Sequence, residues 1–177
     1  MTAEEIFESV TNGGANDFAA VVGILQRSGP WCLIGGLAVN CYVEPVYTVD
    51  ADIVVVTEKL AAIANELRDA GFGIQQFEHS LNARKPAGQL NIQFTQDSRY
   101  QDFIRRAEPR KVLGHLVPVA NLKDIVQGKI WAWSDAHRRL SKHKKDELDL
   151  IRIGEAYPEL REKLPAKIAS QFEGGSK

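Results

Sequence analysis

The chain has 177 residues, 44% hydrophobic and 25% charged, with a formal net charge of −1; that suits one ordinary globular domain and excludes a fibrous or disordered chain. No apolar run reaches the ~18 to 20 residues of a membrane span, and the acidic start "MTAEEIFESV" is unlike a positively charged secretory leader. A cytoplasmic protein with no membrane partner is expected, its charge divided unevenly: residues 121–177 carry 12 Lys and Arg against 9 Asp and Glu, which leaves the first 120 residues net negative.

In chain order, residues 3–28 read as helix broken at "TNGG". Ile6, Phe7 and Val10 share an apolar face, and Asp17 is placed to cap a second helix carrying Phe18, Val21, Val22 and Leu25. "SGP" breaks the chain, "WCLI" is a short apolar strand, Gly35 and Gly36 turn it, and "LAVNCYV" is a short helix that Pro45 stops near Glu44. Tyr47 to Thr57 is rich in β-branched residues and reads as a strand, followed by a surface helix in "EKLAAIANELRDAG". "FGIQQFEH", "LNARKP" and "QLNIQFTQ" alternate with period two and read as an antiparallel meander that continues the sheet.

"RYQDFIRRA" is a helix candidate, and "RKVLGHLVPVAN" reads as two extended pieces around Gly114. "NLKDIVQGKIWAWSDAHRRL" and "KHKKDELDLIRIGEAYPELREKL" have helical spacing, with a break at Pro158. The expected fold is α/β (α+β), a mixed β-sheet flanked by helices. Residues 1–120 form its core with the N-terminal helices, 121–172 a C-terminal helical part packed on that core, and 173–177 a disordered tail. Cys32 and Cys41 have no zinc-type spacing and read as buried thiols. Trp131, Trp133, His79 and His115 read as core or surface residues.

The chemistry concentrates in "LIGGLAVNCYVEPVYTVDADIVVV", residues 33–56. In a strand, side chains alternate faces, so Asp50 and Asp52 point the same way with Cα atoms roughly 6.5 to 7 Å apart. Both carboxylates can converge on one or two divalent cations, and oxygen ligands favour Mg2+ (or Mn2+) held together with substrate phosphates. A Gly35-Gly36 turn at a helix start lets backbone N–H groups approach a phosphate. Thr48 shares the face of the two aspartates by the same alternation, within reach of a nucleotide.

These residues resemble the signature of the DNA polymerase beta-like nucleotidyltransferase superfamily, a Gly-Gly or Gly-Ser after a strand and then Asp-x-Asp on the next strand. The pattern looks most like its minimal branch of AbiEii/AbiGii-type (MenT-like) toxin nucleotidyltransferases. The resemblance implies Mg2+-dependent transfer of NMP from an NTP, with Asp50 and Asp52 as catalytic and metal-binding carboxylates. "GKIWAW", "AHRR" and "KKDELDLI" resemble later motifs of that branch, which implies a nucleotide-binding role for Lys129 and Asp149. The alternative is a Lys129 to Asp149 ion pair that ties two helices together.

The sequence departs from the pattern twice. Where a later strand usually adds a third carboxylate, "GQLNIQFTQD" offers Asn91 and Gln93, with Asp97 at the strand's end. Asn91 is the expected third metal ligand, though an amide carries no charge and cannot act as a base. The Lys-Arg that follows Gly-Ser in many toxin members is also missing, and Leu37, Ala38 and Val39 read as core.

The basic run "HRRLSKHKK", residues 137–145, offers Arg138, Arg139, Lys142, Lys144 and Lys145 as contacts for tRNA or another RNA. The expected function is NMP transfer to an RNA end, a protein hydroxyl or a small molecule, with a toxin role and a cognate antitoxin partner implied by the resemblance. The alternative is a nucleotidyltransferase-fold protein that binds nucleotide or a partner without transfer.

Overall fold

The computed structural model describes Glu5, Phe7 and residues 11–175, so Ile6 and Val10 of the expected first helix lie outside the described residues. The first long helix, α1, runs Gly14–Ser28 and buries Phe18, Val21, Val22 and Leu25. It starts one turn earlier than an Asp17 cap would set it. The Gly14 N–H donates to Thr11 Oγ1 at 2.9 Å, and Gly13, at φ 91°, makes the entry turn.

Seven strands form one mixed sheet: β1 (Trp31–Ile34), β2 (Asp50–Val55), β3 (Gly73–Gln76), β4 (Ser80–Arg84), β5 (Asn91–Thr95), β6 (Glu108–Val112) and β7 (His115–Val119). Their order is β3-β4-β5-β2-β1-β7-β6. The expected β3-β4-β5 meander is present, antiparallel throughout, and β5 joins β2 in parallel. β1 is antiparallel to β2 and parallel to β7. β6 and β7 form a hairpin whose turn residues Leu113 and Gly114 both have positive φ, the backbone of a two-residue turn that matches strand twist.

Between β1 and β2 lies α2, only Gly35–Val39. The expected helix stops early because the Asn40 side chain bonds both the N–H and the C=O of Val46, closing a loop in its place. The strand also starts late, at Asp50 rather than Tyr47. There the Asp50 N–H donates to Thr48 Oγ1 at 3.3 Å, a local bond that competes with strand pairing.

α3 (Leu60–Asp69) is amphipathic and packs on α1, and Gly71 at φ 88° turns the chain after it. The segment "RYQDFIRRA" folds as a 3-10 helix over Ser98–Arg106, started by the Asp97 side chain accepting from the Arg99 N–H.

α4 (Leu122–Trp133) and α5 (Leu140–Ala156) pack against each other and against α2. α4 is shorter than its apolar spacing suggests, because Asp135 accepts from the His137 N–H and turns the chain toward α5. After α5 come a 3-10 turn (Pro158–Lys163), the short α6 (Ala166–Ala169) and a last 3-10 turn over Ser170–Gly175. That last turn covers part of the segment expected to be disordered, and residues 176–177 lie outside the described residues. No helix among the described residues is long and apolar enough to cross a membrane.

Candidate functional site

The site lies where β1 ends and β2 and β5 begin. Antiparallel pairing sets Ile34 opposite Asp52, so the residue after Ile34 meets the Asp52 side chain. That residue is Gly35, at φ 71°, and a Cβ there would overlap Asp52 Oδ2 and lie 2.7 Å from Cγ. Both the backbone conformation and the space demand glycine. Gly36 is less constrained, since its Cβ would rest 3.5 Å from Thr48 Oγ1, an ordinary contact.

The two aspartates share a face, as strand alternation requires, but differ in electrostatic setting. Burial pushes the Asp50 carboxyl up. Its hydrogen bond to Lys142, the charges of Lys142 and Lys145 and the Asn91 amide outweigh that and hold it below the ordinary 3.8. Lys142 Nζ lies 2.5 Å from Asp50 Oδ2, and Lys145 Nζ lies 3.9 Å from the same oxygen while donating to Thr48 Oγ1 at 2.9 Å.

Asp52 goes the other way: burial raises its pKa above 3.8, the Lys129 charge opposes that, and the negative Asp50 adds to it. Its exposed area is intermediate rather than nil, yet protein surrounds it closely. We read it as a carboxylate at the floor of a pocket.

Parallel pairing puts Asn91 beside Asp50 and Gln93 beside Asp52. Asn91 Nδ2 reaches Asp50 Oδ1 at only 3.4 Å. Asp97, the other candidate third ligand, is held at the far end of β5 by Arg99 through bonds of 2.6 to 3.1 Å. Among the described residues no group of three or more His, Cys, Asp and Glu could hold a metal ion. Two same-face carboxylates, one packed against a bare glycine, with the amide side chains of Asn91 and Gln93 on the neighbouring strand, do fit a hard divalent cation that also takes oxygen ligands from a substrate.

Lys129 is in a different place from the dyad's lysines. On α4, its Nζ lies 2.9 Å from Asp146 Oδ1 and 2.6 Å from Asp149 Oδ2, with all three side chains at most 9% exposed. Arg138 binds the other Asp146 oxygen at 2.9 Å, and Arg152 binds the other Asp149 oxygen at 2.8 Å. Burial disfavours the Lys129 charge, but Asp149 and Asp146 more than offset it and raise its pKa. The geometry is that of the helix-tying ion pair, extended by two arginines.

Arg152 also donates to Asn40 Oδ1 and to the Glu44 carbonyl, strapping α5 to the loop that leads into Thr48 and Asp50. Within the basic run, Arg138, Lys142 and Lys145 therefore turn inward, while Arg139 is exposed and Lys144 pairs with Glu147 at the surface.

A cavity of about 840 Å³ opens over Asp52 and Gln93, with Lys129 and Arg138 also on its wall. Its volume is that of a small-molecule site. Tyr100, Phe103 and Trp131 pack into its aromatic side with ring centroids 5.2 to 5.8 Å apart, and the Arg99 guanidinium sits 4.7 Å from the Trp131 ring. Trp131 and His79, read from sequence as core or surface, both line this cavity. The helix-spaced Lys142 and Lys145 gave a signal that they share a face, but nothing in the sequence named Asp50 as what they face.

No protein-family model matches the sequence, and no curated protein matches it. Solved structures match the fold. The solution structure of the antibiotic-resistance factor ANT(2'')-Ia superposes with a TM-score of 0.61 at 14% identity, covering 90% of this chain and 92% of that one. A crystal structure of ANT(2'')-Ia in complex with adenylyl-2''-tobramycin gives 0.60 at 15%, covering 89% and 98%. An antigenic nucleotidyltransferase-like protein from Paracoccidioides brasiliensis gives 0.52 at 16%, covering 90% and 94%. The chain therefore has the nucleotidyltransferase fold, a mixed sheet flanked by helices.

Proposed function

We propose that the chain is a cytoplasmic, Mg2+-dependent nucleotidyltransferase that moves NMP from an NTP to a hydroxyl of a small molecule. The observation that carries this reading is the Asp50–Asp52 pair, with Asp52 seated against the positive-φ Gly35 at the floor of a roomy cavity. A divalent cation held there by Asp50 and Asp52 supplies charge neutralisation at the phosphates.

This chain's own residues do the rest. Gly35, with no side chain, lets the Asp52 carboxylate pack against the turn, and Lys142 and Lys145 keep Asp50 and Thr48 as partners while turning their remaining N–H donors to triphosphate oxygens. The aromatic side of the cavity holds the acceptor, whose hydroxyl gives up its proton to water as its oxygen bonds the α-phosphorus and the bond to pyrophosphate breaks. Phosphate binding passes in this reading from Lys129, which is committed to Asp146 and Asp149, to the two lysines of α5.

A small acceptor is supported by the volume of the cavity and by the inward turn of Arg138, Lys142 and Lys145, which leaves Arg139 and Lys144 as the outward Arg and Lys of that run. The fold neighbour ANT(2'')-Ia, solved in complex with adenylyl-2''-tobramycin, lends support to a small acceptor. An RNA acceptor, with the toxin role, the AbiEii-type kinship and the antitoxin partner, is the competing outcome.

The experiment is transfer from labelled NTPs to hydroxyl-bearing small molecules and, separately, to tRNA. The expected result is labelled small-molecule product that Asp52→Ala abolishes. Label on tRNA alone would move the acceptor to RNA, and nucleotide binding without transfer would leave a binding protein.

A further inference from the structure

We propose that the site takes a single divalent cation with its nucleoside triphosphate, not a pair, and that Lys142 and Lys145 complete the charge balance on the Asp50 side. This rests on the nucleotide-transfer reading above and gives that same site its metal content.

Two cations held ~3.5 to 4 Å apart repel each other and need anionic oxygens shared between them. Here the anionic supply is two carboxylates, and one of them is already engaged. Asp50 Oδ2 has Lys142 Nζ at 2.5 Å and Lys145 Nζ at 3.9 Å. The side chains of β5 next to the pair, Asn91 and Gln93, are neutral.

Among the described residues, the other carboxylates on the cavity wall have partners of their own: Glu78 lies 3.5 Å from His79, and Asp135 accepts from the His137 N–H. Asp97 is tied to Arg99, Asp124 to Arg106 through bonds of 2.8 and 2.9 Å, and Asp146 to Lys129 and Arg138. Lys142 and Lys145 offset the charge of the two aspartates, and Lys129, the further cation near Asp52, is itself paired with Asp146 and Asp149. One divalent ion, shared by Asp52, Asp50 and phosphate oxygens, meets a complete ligand set in that environment. A second ion would have no carboxylate of its own, only the Gln93 amide and further phosphate oxygens, beside a like-charged neighbour.

The replacement is specific to position. Gln93 stands beside Asp52 on the cavity side, away from the lysines, so an acid there would supply the missing anion. Asn91 stands beside Asp50, where the lysines already offset charge.

The test is Mn2+ electron paramagnetic resonance on the full chain with α,β-methylene analogues of ATP, GTP, CTP and UTP. Two adjacent Mn2+ ions are exchange-coupled and an isolated one is not. The expected spectrum is an isolated ion in the wild type and in Asn91→Asp, and a coupled pair in Gln93→Asp. A coupled pair in the wild type overturns the proposal and leaves the nucleotide reading standing. A coupled pair in Asn91→Asp overturns the part given to the lysines, and an isolated ion in Gln93→Asp overturns the assignment of the missing ligand to that position. No protein-bound Mn2+ with any analogue removes the nucleotide reading as well.

Discussion

The Asp52 carboxylate rests directly on the α-carbon of Gly35, with no room between them for even one more carbon. Gly35→Ala should therefore fail on two counts. The left-handed backbone costs an L-residue about 1 to 2 kcal/mol, and the new methyl displaces Asp52 from the dyad. A lowered melting temperature together with lost NTP binding by calorimetry is expected, whereas Gly36→Ala should keep both near wild type. Intact nucleotide binding in a stably folded Gly35→Ala would count against the site.

Stability and function should oppose each other at Asp52. Its folded pKa lies above the unfolded value, so the folded state holds the proton more tightly and the charged form works against folding. That penalty grows as pH rises from about 3.8 through the raised pKa and is full above it. Asp52→Asn, melted with chelator present, should be more stable than wild type at pH 7 and lose that advantage in acid, while transfer disappears.

Asp50 has the reverse sign: its depressed pKa gives stability above 3.8 that is lost as pH falls through the folded value. Asp50→Asn should melt lower than wild type at neutral pH. Equal shifts in the two variants would refute the electrostatic division between them.

Lys129→Met separates a structural from a phosphate-binding lysine. Removing the cation leaves Asp146 and Asp149 buried with only their arginines, a change that typically costs about 3 to 5 kcal/mol. Urea unfolding should show a loss of that order. A variant of unchanged stability with a raised KM for NTP would return Lys129 to the nucleotide.

Lys142→Ala and Lys145→Ala should each weaken NTP binding roughly tenfold, the scale of one charge-assisted hydrogen bond. Arg139→Ala and Lys144→Ala, which remove outward cations, should leave it unchanged. Titration of tRNA against salt decides the competing acceptor: if RNA binds through this face, each outward substitution lowers the salt slope by about 1.

Much of the fold can be read from local pattern. The strand alternation that puts Asp50 and Asp52 on one face, the glycine turn ahead of them and the β3-β4-β5 meander all depend on neighbours a few residues apart. Element ends are less legible, because side chains decide them: Asn40 cuts α2 short, and Thr48 delays β2. The lysine contacts are hidden for another reason. Asp50 and Lys142 are 92 positions apart and Thr48 and Lys145 are 97 apart, so the rotation of α5 over the sheet sets them, and no periodicity records that. Trp131 reads as core or surface for a similar cause, since an aromatic side chain that walls a cavity has no spacing of its own.

The Arg152 strap and the lysine pair belong to the last helix of real length, while the aspartates they serve emerge from the ribosome some ninety residues sooner. A nascent chain that ended ahead of α5 would carry the glycine turn and both acids with neither Lys142 nor Lys145 against Asp50 and no Arg152 anchor on the loop before Thr48. The site therefore has a built-in order of assembly: its acidic half is synthesised first and becomes competent only when its basic half arrives.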